Sequence, residues 1–316
     1  MPATPQHWAA LVEPVLNRQF FYVGFGGEGR RQSLLDRLFN IQTSQYAEEK
    51  TMSLGGFSTQ GWNFEDSGRV QYDERAKGYE KTFAHHEFAK GFIVTRRLMD
   101  DNRLSTVFRD ARELGDSAFR MREKAGANVF AQGFSNATTA TLDQYGTDAV
   151  GPDGVALLSD AHPAPPGAGG STQSNEGTLA LTAANLGTVR AAMMSFKDYQ
   201  GDLLNVMPDT LLVPPELEDT ALTIVRSQQD PTSANNAINP QAGRFQVIVW
   251  HYLADSNAWF LIDSSLMRQH LHWFDRIPLE FGREEDFDTF QAKFRAYQRF
   301  SLGWSDWRFI YGENPS

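Results

Sequence analysis

Cysteine is absent from the chain. That removes disulfides, thiolate zinc sites and cysteine nucleophiles together, and it fits a reducing compartment. No apolar run reaches the length needed to cross a bilayer. The opening MPATPQHWAALVEP lacks the basic region and apolar core of a secretory signal. A surplus of positive charge is missing as well: 29 Lys and Arg stand against 39 Asp and Glu, a formal net charge of −10. Sequence-independent nucleic-acid binding depends on neutralising phosphates, so this balance argues against it. Walker, zinc-protease, kinase and G-x-S-x-G signatures are all lacking.

What is present reads as a packed globular chain. Hydrophobic residues make up 41% and charged residues 22%, and 23 phenylalanines supply bulky packing material. The longest periodic stretch runs from Asp101 to Gly133. Leu104, Val107, Phe108, Ala111, Leu114, Ala118, Phe119, Ala125, Val129 and Phe130 recur there in steps of three and four. At 1.5 Å per residue the helix is roughly 40 Å long. Charges interleave with the apolar positions and no catalytic set sits among them. The apolar face, from Leu104 and Phe108 through Val129, is expected to pack on strands at 79–97 and 287–300. The charged face, with Arg112 and Glu123, is expected to look outward.

Residues 47–80 are rich in glycine and mixed charge, with isolated Phe57, Trp62, Phe64 and Tyr72 and a turn signal at Asp66-Ser67-Gly68. They read as a long hairpin that contacts something beyond its own domain. Strand patterns follow at 79–97, with a bulge expected between His86 and Gly91, at Val155–Leu158, and at Thr210–Val213, where Pro214 and Pro215 open a helix. FQVIVWHYL and AWFLI read as a hairpin turning at Asp255-Ser256-Asn257. A helix is expected near Thr182–Lys197.

Three patterns invite a chemical reading. Gly24, Gly26 and Gly29 match G-x-G-x-x-G, with Glu48 and Glu49 about 20 residues on, where a ribose-binding acid would lie. No βαβ pattern accompanies them, so a glycine hinge in an arm is the favoured reading. His270 and His272, with Asp275 near, form at most half a metal site. Asp153, Asp160 and His162 sit among turn residues, where an acid–base pair has no accompanying nucleophile. No catalytic residue, metal ligand or cofactor site is therefore assigned.

The order of elements resembles the major capsid proteins of tailed bacteriophages, the Hong Kong 97-type shell fold, with Mu-type head subunits the nearest pattern. The hairpin corresponds to that family's extended loop and the long helix to its spine. DGVALLSDAHP, PDTLLVPPELEDTA, FQVIVWHYLADSNAWFLID and FQAKFRAYQRFSLGWSDWRFIYG resemble its successive elements. The resemblance implies an α+β fold with an N-terminal arm (1–46) and an extended loop (47–80). It implies a peripheral domain (81–135 and 285–300, spine helix 102–132) and an axial domain (136–284 and 301–316). It implies no enzymatic activity: the subunit self-assembles as hexamers and pentamers into an icosahedral head enclosing double-stranded DNA. The implied partners are a separate scaffolding protein, a portal and a decoration protein, with assembly in the bacterial cytoplasm and no membrane association. Candidate inter-subunit contacts are Glu49, Lys50, Trp62, Glu65, Asp66, Arg69, Asp73 and Arg75. Candidate hinges are Gly24, Gly26, Gly29, Gly55 and Gly56. A compartment of the same fold enclosing a cargo enzyme is the alternative, followed by a nucleotide- or metal-dependent enzyme.

Overall fold

The computed structural model describes residues 13–25, 33–54, 56–57, 72, 75, 77–101, 104–135, 143–166, 170–229, 238–286 and 288–315. The strands form two sheets and a separate hairpin, and one long helix packs on both sheets. The first sheet has the order β1-β9-β10-β4, built from Asn40–Thr43, Leu271–Asp286, Gln291–Trp304 and His86–Val94. The second has the order β5-β11-β8-β6-β7, built from Glu176–Gly177, Ile310–Glu313, Trp259–Ile262, Thr210–Val213 and Gln246–Val249. The hairpin pairs β2 (Glu48–Leu54) with β3 (Lys77–Ala84).

After a short helix α3 (Arg96–Asp100), the spine helix α4 covers Leu104–Ala131 and closes in a 3₁₀ turn, Gln132–Phe134. Its N-terminal half packs as its periodicity predicts. Val107 and Ala111 meet Val94, Ala292 and Phe294, and Leu114 meets Ala296; the side chain of Leu104 lies outside the described residues. The C-terminal half differs. Ala125, Ala127, Val129 and Phe130 enter the large core beneath the second sheet, beside Trp250 and Phe260. There the helix is buried on more than one side, and Glu123, expected to face outward, is only 3% exposed. Arg112 does stay at the surface, where it donates to Gln19.

A helix over residues 13–24 (α1), whose last turn Gln19–Gly24 is of the π type, lies across the spine. Leu16 and Phe20 plug the space between α4 and the β9–β10 ribbon, and Phe20 stacks on Phe281 with ring centroids 4.6 Å apart. The two helices touch glycine to glycine. A Cβ on Gly24 would come within 2.4 Å of the Arg112 carbonyl oxygen, and one on Gly115 within 2.4 Å of the Phe20 carbonyl oxygen. Gly24 therefore serves a close helix–helix contact rather than a nucleotide loop or a free hinge. The short helix α2 (Leu35–Leu38) and strand β1 then carry the chain along the same body, so the described part of the expected arm is docked.

Three local expectations change. The phase shift at 79–97 is a change of sheet: His85 separates β3 from β4, with its ring between Ser44 Oγ (3.1 Å) and Ser301 Oγ (3.0 Å). Strands β7 and β8 do not pair with each other, because β6 lies between them, parallel to β7 and antiparallel to β8. Residues 155–158 form turns and bends rather than a strand, although Leu157 and Leu158 are buried. Strand β9 joins the first sheet from Leu271 onward, so that sheet recruits residues assigned above to the axial part. The Thr210–Val213 strand is fully buried, and Pro214 and Pro215 lead through a 3₁₀ turn into Glu218–Arg226 (α6). Thr182 caps Ala183–Met194 (α5), its Oγ1 accepting from the Asn185 N–H.

Candidate assembly surfaces

The hairpin stem is the most distinctive surface. Exposure alternates along the stem: Glu48, Lys50, Met52, Glu80 and Thr82 are exposed, whereas Glu49, Thr51, Ser53, Lys81 and Phe83 turn inward, as in a ribbon with one face against the body and one in solvent. Glu49 turns inward at the base and accepts from Ser44 Oγ at 2.6 Å. Lys50 faces out and pairs with Glu48 at 3.2 Å in an exposed position, a contact of small energetic value. Arg75 lies over the Phe57 ring at 5.6 Å, and Gly56 is exposed. Trp62, Glu65, Asp66, Arg69, Asp73, Gly26, Gly29 and Gly55 lie outside the described residues.

A polar clasp holds the stem to the body. Tyr199 donates its hydroxyl to Ser53 Oγ at 2.9 Å, and Lys81 reaches Asp148 at 2.5 Å and the Val150 carbonyl at 2.6 Å. Behind Tyr199, Arg308 pairs with Asp306 at 2.6 Å and stacks 4.2 Å from the tyrosine ring. Burial works against the Arg308 charge, but Asp306 and Tyr199 together outweigh it and hold the guanidinium above its ordinary pKa. Burial, reinforced by Asp306, pushes the Tyr199 phenol up. The hydroxyl therefore stays protonated and able to donate. Tyr199, Asp306 and Arg308 carried no sequence signal, because nothing local links 53 to 199 and 308. Around the stem, Tyr46 (71%), Met52 (48%), Phe57 (58%) and Tyr72 (94%) stand exposed on a single subunit, as surfaces destined for a partner do.

Of the chemical candidates, His162 and His272 are buried and hydrogen-bonded within the subunit, and Asp160 is exposed. His162 lies 2.5 Å from Asp153 through Nδ1 and 2.9 Å from Asn175 Oδ1 through Nε2, stacked on Trp307. Asn175 Nδ2 donates to the Leu157 and Ile310 carbonyls, so its oxygen faces the histidine. With His162 1% exposed, this trio staples loops together and presents no base to a substrate. Asp160 is not part of it. His270 ends α7 (Ser264–His270) and His272 starts β9, and both approach Ser305 Oγ at 3.1 Å. Burial, with His270 adding, lowers the His272 pKa to about 4. Asp275 is engaged by Arg122 at 3.0 Å, and no group of three potential metal ligands occurs among the described residues. No described helix is long and apolar enough to cross a membrane.

Two sheets bridged by a long helix, with a clasped hairpin projecting apolar side chains, define a subunit built to contact copies of itself. The model of a phage capsid protein family matches residues 78–312, and the chain belongs to that family. No curated protein matches the sequence. Among solved structures, the capsid of an empty GTA particle aligns over 93% of each chain at 14% identity and a TM-score of 0.55. The procapsid of bacteriophage JBD30 aligns over 99% of this chain and 77% of that one, at 14% identity and 0.51. The JBD30 capsid decorated with minor capsid protein trimers aligns over 71% and 92%, at 16% identity and 0.54. The fold is the Hong Kong 97 type, and the chain is a major capsid shell protein located in the virion.

Proposed function

We propose that the subunit assembles into hexamers and pentamers that close an icosahedral head around the double-stranded DNA of a tailed phage, without enzymatic activity. The observation that carries this reading is the clasped hairpin with Met52, Phe57 and Tyr72 exposed on a shell fold. Lys50 and Arg75, with Trp62, Glu65, Asp66, Arg69 and Asp73, are its candidate contacts with neighbours; Glu49 instead supports the hairpin base. Gly55 and Gly56, with Gly26 and Gly29, are candidate hinges that let one sequence fit non-equivalent positions. Many weak contacts of this kind sum to a stable shell.

The ordered motifs favour a Mu-type head subunit. A separate scaffolding protein and a portal belong to the same proposal, with assembly in the bacterial cytoplasm. A decoration protein is supported by the minor capsid protein trimers on the JBD30 structure. Electron microscopy of the purified protein tests the reading: capsomers or closed shells are expected. A strict monomer under all conditions, scaffold included, overturns it. Deleting residues 55–75 is expected to leave a folded subunit that cannot close shells, and normal shells from that variant would remove the hairpin's assigned role.

A further inference from the structure

Glu123 is a carboxylate that the shell reading does not use. It sits in the buried half of the spine, 3% exposed. Ser33 Oγ donates to one of its oxygens at 2.6 Å and Trp250 Nε1 to the other at 2.9 Å. Three separate parts of the chain thus meet at one side chain: the start of α2, the spine, and the segment after β7. The same helix face carries Gly126, where a Cβ would lie 2.3 Å from Leu35 Cδ2 and 3.2 Å from Trp250. Glu123 and Gly126 together form the seat for α2, whose Leu35, Leu38 and Phe39 are buried there.

No Lys, Arg or His pairs with Glu123 among the described residues. On its own helix Arg122 turns away to Asp275 and Lys124 is exposed. The charged group that acts on it from α2 is another acid, Asp36, and the segment of Trp250 contributes only the indole N–H. An ionised carboxylate buried with hydrogen bonds but no counter-ion costs free energy.

We infer that Glu123 is a proton-dependent latch for the segment carrying α2: with a proton on Glu123 the segment is seated tightly on the spine, and with the charge present it is primed to lift off. Lifting α2 would return the carboxylate to water. Burial pushes the Glu123 carboxyl above its ordinary value, against the hydrogen bonds from Ser33, Trp250 and the Leu34 amide. The sign follows by linkage. A carboxyl whose docked value is raised favours docking at low pH, and this advantage is lost as pH rises from the ordinary carboxylate range through the raised value.

Hydrogen exchange on the full-length unassembled subunit, corrected for intrinsic rates, tests this between pH 5 and pH 8. In the wild type, protection of residues 33–39 is expected to fall severalfold across that range while strand β6 stays constant. Glu123→Gln is expected to keep 33–39 at the acid level throughout. Ser33→Ala removes one donor from the charged form, so it is expected to lower protection at pH 8 and recover toward wild type at pH 5. PH dependence that persists in Glu123→Gln overturns the latch. So does a Glu123→Gln protein with lower protection at every pH, whether confined to 33–39 or extending to β6, since it would show that the charge itself holds the seat.

Discussion

The two sheets solve stability differently. The second sheet is short-stranded and dry: β6 and β8 are buried at every position, and they join Trp250, Trp259, Trp273 and Phe300 in one continuous core. The first sheet extends long strands outward, and away from the junction it is held by two small clusters, each completed by a residue of α1, Leu16 or Phe20. One region shares a broad core to which many elements contribute, whereas the distal end of the other depends on a single helix supplied from earlier in the chain. Strain on the subunit is expected to be taken up where the packing is thin, at the distal end of the first sheet.

Substitutions in each region sharpen the contrast. Trp259→Ala empties the centre of the second sheet and is expected to cost about 3–5 kcal/mol of global stability in denaturant unfolding. A small loss there would break the comparison. The junction should respond to acid. His272 is held neutral with a pKa of about 4 against an ordinary 6.5. Stability is therefore full above the ordinary value and lost as pH falls through the depressed one, by up to roughly 3 kcal/mol. Replacing His272 with Asn should flatten that acid limb in melts at pH 7 and pH 4. Smaller still, Gly115→Ala drives a methyl into the Phe20 carbonyl of α1. It is expected to cost about 1–3 kcal/mol, appearing as faster hydrogen exchange at 13–24 with β6 and β8 unchanged. A global melting shift from Gly115→Ala would show that the two regions are one cooperative unit.

Local patterns carried much of this architecture. The spine's periodicity, the strand–proline–helix step at 210–226 and the paired stem of the hairpin each depend on neighbours in sequence, and each appears in the structure. Failures occurred where a distant strand or side chain intervenes. Asp255-Ser256-Asn257 is sound turn chemistry, and the Asn257 N–H does bond to the Asp255 carboxylate. Yet β6, from much earlier in the chain, occupies the space between the flanking strands. Glu123, flanked by Arg122 and Lys124, has the local look of a solvated helix face. Its burial comes from Trp250, 127 positions away. The clasp at Tyr199 and Arg308 was illegible for the same reason, and so was the use of Gly24 as a packing surface, which needed Gly115 to give it meaning.

The placement of β10 and β11 has a consequence for truncated chains. β10 lies between β9 and β4, and β11 lies between β5 and β8. Both are inner strands, and both come from residues 291–313. Without that stretch neither sheet has its full hydrogen-bonded ladder, and β4 loses β10, its strand partner among the described residues. A chain cut before residue 291 therefore lacks one inner strand of each sheet, and with Asp306 and Arg308 it also loses the backing of the clasp that holds the hairpin stem.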